Sequence, residues 1–154
     1  MSIARRIRDL GAADLDWVAE QEQDIFGPAA WSRAMIEDDF RFPGNRYIGV
    51  DDTDGTLAGY GITSFDGEAL HVLNLAVRAD ARNRGNAAGL LTAMVGQARE
   101  LGATEVWLEV RVDNLPARGL YESFGFAPIR VRPRYYQPED VDGLVMRLEL
   151  EDEA

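Results

Sequence analysis

The sequence predicts an α/β domain built on a mixed, mostly antiparallel sheet of about seven strands, flanked by about four helices. Three observations carry this. Strand-like segments joined by turn signals lie at both ends of the chain, and an amphipathic helical stripe runs over residues 85–101. Apolar strands flank that stripe, which makes a central strand–helix–strand unit and so a parallel pair, with antiparallel meanders on either side. No internal repeat, linker or low-complexity tract interrupts the 154 residues, so residues 1–154 read as one domain.

Residues 3–10 alternate weakly as a first strand. Over 13–26, Leu15, Trp17, Val18, Ile25 and Phe26 recur at roughly helical spacing behind Asp14, a candidate cap. Gly27-Pro28 breaks that helix; Trp31-Ser32 opens a second, ended by Pro43-Gly44. Residues 47–50 and 57–65 are strand-like and flank the turn signal Asp52-Thr53-Asp54-Gly55, with a third strand over 70–77. In the stripe, Leu90, Leu91, Met94, Val95, Ala98 and Leu101 share a face, and Gly102 stops the helix. A strand over 104–111, a short helix over 116–124 and strands over 125–131 and 144–150 complete the chain.

Composition excludes several kinds of chemistry. With 46% hydrophobic and 28% charged residues the chain resembles an ordinary soluble protein, and no apolar run approaches the ~18 residues that span a bilayer. The first eight residues are basic in part but lead into no apolar stretch, so no signal peptide is expected and a cytoplasmic location is. The absence of cysteine excludes thiolate metal sites, disulfides and a Cys nucleophile; a single histidine, His71, excludes multi-histidine zinc centres, and no metal is expected. All 16 basic residues are arginine, which removes the Walker-type P-loop and Schiff-base chemistry. A net charge of −11 argues against nucleic acid and anionic membranes and suits a basic partner.

The most informative stretch is Leu73-Asn74-Leu75-Ala76-Val77, followed by Arg82-Asn83-Arg84-Gly85-Asn86-Ala87. A buried strand runs into a loop containing Gly and Arg that opens the long helix. Backbone N–H groups there have no intrahelical partners and lie at the positive end of the helix dipole, a setting that binds a pyrophosphate. From the loop alone, an anion site and a plain strand-to-helix turn both remain open.

The loop resembles the Q/R-x-x-G-x-G/A motif of the GNAT superfamily of acyl-CoA-dependent N-acetyltransferases, and the element order resembles that fold over nearly the whole chain. The resemblance implies that backbone groups of Leu75, Ala76 and Val77 meet the pantetheine arm of acetyl-CoA, and that residues 82–87 (Arg82, Asn83, Arg84, Gly85, Asn86, Ala87) cradle its pyrophosphate. It also implies that the next strand splays away, and that Asn114 and Tyr121 reach the cofactor. Where the family usually has an apolar side chain, this sequence has Asn86, which must find hydrogen bonds or solvent. A longer run narrows the resemblance: Trp107-Leu108-Glu109-Val110-Arg111, Asn114, Leu120-Tyr121-Glu122-Ser123-Phe124-Gly125-Phe126 and Arg134-Tyr135-Tyr136, with Trp31-Ser32 near the front. This is similar to the RimI branch, bacterial enzymes that acetylate the N-terminal alanine of ribosomal protein bS18. That branch implies a monomer acting on a basic protein N-terminus, with Trp31, Arg111, Tyr135 and Tyr136 as substrate contacts.

Direct transfer from a thioester needs a neutral amine, a polarised carbonyl and a proton for the departing thiolate. A terminal amine has a reference pKa about 2.5 units below that of lysine, so a modest base working through water suffices. The resemblance implies Glu109 as that base; alternation puts Trp107, Glu109 and Arg111 on one strand face, so a pairing of Glu109 with Arg111 is the competing reading. Tyr121 is the implied general acid, against a packed helix tyrosine. Asn114 also reads as a helix cap, Tyr135 and Tyr136 as edge-strand packing, and His71 as structural. Three alternatives remain: a GNAT acting on another protein N-terminus, one acting on lysine or a small amine, or a CoA-binding module without turnover.

Overall fold

A computed structural model of the chain describes residues 6–150; residues 3–5 of the expected first strand lie outside them. The elements run β1 (Arg6–Asp9), α1 (Leu15–Phe26), α2 (Arg33–Phe40), β2 (Asn45–Asp51), β3 (Leu57–Phe65) and β4 (Ala69–Val77). They continue α3 (Asn86–Glu100), β5 (Glu105–Arg111), α4 (Leu115–Ser123), β6 (Ala127–Tyr136) and β7 (Val141–Glu149). The seven strands form one sheet in the order β1-β2-β3-β4-β5-β7-β6, antiparallel throughout except for β4 and β5.

The C-terminal strands depart from the expected meander, because β7 lies between β5 and β6. Composition explains the choice: Gly143, Leu144, Val145 and Met146 of β7 are buried, whereas β6 is exposed over residues 127–135. The more apolar strand takes the interior place, and the arginine-rich one becomes an edge that charge protects from further pairing. β6 also runs five residues beyond its expected end at 131. Pro133 is accommodated where the register shifts between Arg132 and Tyr136, a position that asks nothing of a missing N–H.

The sheet separates two apolar layers. Behind it, Leu90, Leu91 and Met94 of α3 are fully buried with Val106, Leu108, Val110, Leu144 and Met146; each such side chain contributes roughly 1.5–3 kcal/mol by leaving water. In front, Leu15, Val18 and Ile36 of α1 and α2 pack with Tyr47, Tyr60, Ile62 and Ala76 of β2 to β4. This front layer draws its sheet residues from β2, β3 and β4; on β5, β7 and β6 the same face carries Trp107, Glu109, Val145 and Arg130 and lines a cleft.

Local chemistry sets the helix starts. Ser32 caps α2 by accepting a hydrogen bond from the Met35 amide at 3.1 Å. Asp14 does not cap α1 with its side chain. Its carboxylate accepts from the Gly11 amide at 2.8 Å and pairs with Arg8, which holds a 3-10 turn over Ala12–Asp14 and delays α1 to Leu15.

Candidate active site

β4 and β5 pair only from Ala69 opposite Glu105 to Val72 opposite Leu108, and then part. At that point β4 also shifts register against β3: Thr63 faces Val72 and Ile62 faces Asn74, so Leu73 is the extra residue of a bulge. Beyond it, residues 73–77 have no strand partner on their β5 side. Apart from the Leu75 amide, which donates to Oδ1 of Asn74 at 2.9 Å, backbone groups on that side remain open to an extended ligand arm, as a backbone donor or acceptor must find some partner.

The open stretch leads towards the N-terminus of α3. Gly85 holds φ at +84°, Asn83 at +62°, and no side chain caps the helix. A Cβ built on Gly85 meets nothing within 4 Å, so this position demands glycine for its left-handed backbone rather than for lack of room. The leading amides of α3 are therefore presented unblocked at the positive end of a fifteen-residue helix. Arg84 is committed to Asp52, whose carboxylate side chain is 2% exposed, at 2.7 Å. Arg82 donates to the Val77 carbonyl at 3.3 Å. Asn86 is buried: its amide donates to the Ala81 carbonyl at 3.0 Å, while Oδ1 has no partner among the described residues. It thus braces the loop from beneath. These residues fit the pyrophosphate and pantetheine of acetyl-CoA, with backbone supplying most of the donors.

On the far side of the parting lies an open cleft of about 590 Å³. Trp31, Leu73, Trp107, Tyr135 and Tyr136 give it apolar walls, and Glu109 lies on its floor. Glu109 does not pair with Arg111. Its Oε1 accepts from Nη1 of Arg132 at 2.5 Å, and the Arg132 guanidinium stacks over the Tyr135 ring, 4.2 Å from its centre. That ring lies against Gly143, where a Cβ would come within 3.1 Å of it. Hydrogen bonding to the neighbouring Glu109 carboxylate, and then burial, hold the Tyr135 phenol above its usual range, and the charge of Glu109 adds to this. Burial, followed by the charge of Glu109, does the same for Tyr136.

Arg111 is turned away from Glu109 towards Asp113 and Glu139, at 3.1 and 3.5 Å, and reaches the cleft only through the Tyr136 ring, 5.8 Å from its guanidinium. Tyr121 is buried behind the parting, with its ring centre 6.0 Å from that of Phe126, and its hydroxyl has no hydrogen-bond partner among the described residues. Burial pushes its phenol up to about 12. Tyr121 does not line the cleft. Asn114 caps α4: its side chain accepts from the Ala117 amide at 3.2 Å. His71 also lines the cleft, and its Nε2 lies 3.1 Å from the Asp66 carboxylate.

Sequence reading missed Arg132 and Gly143. Alternation along β6 carries Arg132 onto the face of Arg130, but the strand's expected end at 131 stops short of it.

A model of the acetyltransferase (GNAT) family matches residues 14–126. The chain belongs to this family. Among curated GNAT relatives, it is 33% identical over 143 residues to the ribosomal protein bS18-alanine N-acetyltransferase of Salmonella typhimurium, covering 91% of this chain and 90% of that protein. It is 34% identical over 143 residues to the N-alpha-acetyltransferase RimI of Mycobacterium tuberculosis, covering 90% and 88%. The crystal structure of the ribosomal-protein-S18-alanine N-acetyltransferase from Escherichia coli superposes with a TM-score of 0.88 at 26% identity, over 97% of this chain and 96% of that one. The chain is thus a GNAT acetyltransferase.

Proposed function

We propose that the chain transfers the acetyl group of acetyl-CoA to the α-amine of a protein N-terminus, with the N-terminal alanine of ribosomal protein bS18 as substrate. The carrying observation is Glu109 on the floor of a cleft walled by Trp31, Tyr135 and Tyr136, next to the point where β4 frees its backbone. The names borne by relatives at 33–34% identity point the same way.

Acetyl-CoA supplies an acyl group already activated as a thioester. The chain's own task is to orient it and to move two protons. The amides at the start of α3 hold the pyrophosphate, and the open edge of β4 at residues 73–77 fixes the pantetheine arm. The amine enters between Trp31 and Tyr135. Glu109, through water, accepts the proton that the amine sheds. The Arg132 guanidinium holds the Glu109 carboxylate in place by donating to its Oε1, so that it works as a modest base. That suffices for a terminal amine of pKa ~7.7–8.0 but not for lysine near 10.4.

Tyr121 serves the departing sulfur. A phenol pushed up to about 12 lies well above a thiol near 8.5. Full proton transfer is therefore uphill even to the freed thiolate, and Tyr121 acts as a hydrogen-bond donor to the sulfur as the C–S bond opens, the sulfur taking its proton only as CoA leaves. The net charge of −11 suits a basic ribosomal partner at low salt.

The test is thiol release from acetyl-CoA with a peptide bearing the bS18 N-terminus, followed by mass spectrometry of the product. Acetylation at the first residue supports the reading; thiol release only with lysine-containing or small-amine acceptors overturns it.

A further inference from the structure

Glu22 is a carboxylate on α1, 2% exposed, and among the described residues it forms no ion pair. Three donors surround it instead. Tyr60 of β3 donates its hydroxyl to Oε1 at 2.5 Å, the Asn74 side-chain amide donates to the same oxygen, and the Trp31 backbone amide donates to Oε2 at 3.2 Å. Burying a carboxylate is costly unless hydrogen bonds replace its water, and the mechanism above does not use this group.

The donors come from places that the active site needs held together. Asn74 follows the bulged Leu73 on the open edge of β4, and its Oδ1 accepts from the Leu75 amide at 2.9 Å. Trp31 walls the cleft from the loop between α1 and α2. One carboxylate therefore ties the edge that receives the pantetheine arm to the wall that receives the amine. Its location also explains Tyr60, a polar side chain fully buried beneath α1, whose phenol burial and then Glu22 keep protonated.

We infer that Glu22 is a positioning residue, holding Trp31 against the sheet so that the acceptor amine is delivered beside the bulge of β4. This rests on the acetyl-transfer reading. Glu22→Gln keeps the size but offers Tyr60, Asn74 and Trp31 one acceptor oxygen in place of two.

The experiment pairs steady-state kinetics on an alanine-starting peptide with hydrogen exchange at the Trp31 amide. In Glu22→Gln the peptide KM should rise about tenfold while kcat stays within about twofold, the effect of losing one hydrogen bond to a charged group. The dissociation constant for acetyl-CoA should stay unchanged, and the Trp31 amide should lose its protection. Tyr60→Phe, which leaves the bond to Trp31 intact, should lower Tm without moving the peptide KM. If Glu22→Gln does not fold, Glu22→Asp, with the charge kept and the reach shortened, is read by the same two measurements. Lowered Tm with unchanged peptide KM and unchanged Trp31 protection would make Glu22 a merely structural residue and overturn the inference. Absence of acetylation by the parent protein would instead strike the functional reading, while exchange at Trp31 still decides whether Glu22 anchors the wall.

Discussion

Arg132 binds Glu109 at 2.5 Å while stacking 4.2 Å over the Tyr135 ring, so the charge of the cleft floor and the shape of its wall are set by one side chain. Neither partner lies in the same strand as the other: β7 runs between them, and its Gly143 leaves the room in which the Tyr135 ring lies. Glu109, its cation and the aromatic wall therefore form one unit across three strands.

Glu109→Gln should cost most activity at low pH. Near pH 6 a terminal amine is almost wholly protonated and needs the base, so a deficit of about 100-fold is expected there. By pH 9 the amine is neutral and the deficit should shrink severalfold. Rate profiles of kcat/KM from pH 6 to 9 check this; a constant deficit would assign Glu109 to orientation rather than proton removal.

Gly143→Val should displace Tyr135, because even the first carbon of the new side chain falls 3.1–3.3 Å from its ring and Cβ. The wall moves and Arg132 loses its stacking partner. The expected result is a peptide KM raised by about tenfold with acetyl-CoA affinity unchanged, since overpacking typically costs about 1–3 kcal/mol at the site. Isothermal calorimetry for the cofactor and kinetics for the peptide separate the two.

Tyr121→Phe should lower kcat by at least tenfold and leave acetyl-CoA affinity intact, since only the departing thiolate loses its donor. Stability gives a second reading. The phenol titrates near 10 in an unfolded chain and about 12 in the folded one, so between those values unfolding releases a proton. Stability therefore falls as pH rises through that window, by about 3 kcal/mol at most from this residue. Denaturant melts at pH 9 and pH 11.5 should show a smaller loss in Tyr121→Phe than in the parent.

Gly85 separates backbone conformation from space. Asparagine tolerates the left-handed region, and nothing lies within 4 Å of a Cβ there, so Gly85→Asn should fold with Tm within a few degrees of the parent. Its side chain would nonetheless sit beside the amides that start α3. Acetyl-CoA binding by calorimetry should weaken about tenfold or more, whereas Gly85→Val should lose stability as well.

Much of this was legible in the residues. The strand-like run at 57–65 coincides with β3, and Ser32 caps α2 as its type suggests. What escaped depended on distant partners. Asp14 had the composition of a cap, but Arg8 and the Gly11 amide claimed its carboxylate. Asn114 read equally as cap and cofactor contact, and the Ala117 amide shows the cap. Glu22 lies within a polar stretch whose spacing gives no hint of burial, because its donors Tyr60 and Asn74 are 38 and 52 residues away. The arginines of the loop looked alike, yet Asp52 holds Arg84 while Arg82 donates to the Val77 carbonyl.

Selectivity follows from amine acidity and from the geometry around Glu109. On the proposed mechanism Glu109, held by Arg132, acts through water, and the amine sheds its proton mostly by its own acidity. The gap between a terminal amine and lysine is about 2.5 pH units, or roughly 3.4 kcal/mol, which alone gives about a 300-fold advantage near neutral pH. The wall of Trp31, Tyr135 and Tyr136 should add to this by fitting a small first residue and excluding a bulky one. A competition between an alanine-starting peptide and its N-terminally blocked, lysine-containing twin measures the ratio directly. A preference of 100-fold or more for the free N-terminus at pH 7 is expected, narrowing towards pH 10 as lysine also becomes neutral. Comparable rates at pH 7 would move the protein to the lysine- or small-amine-acetylating branch of its family.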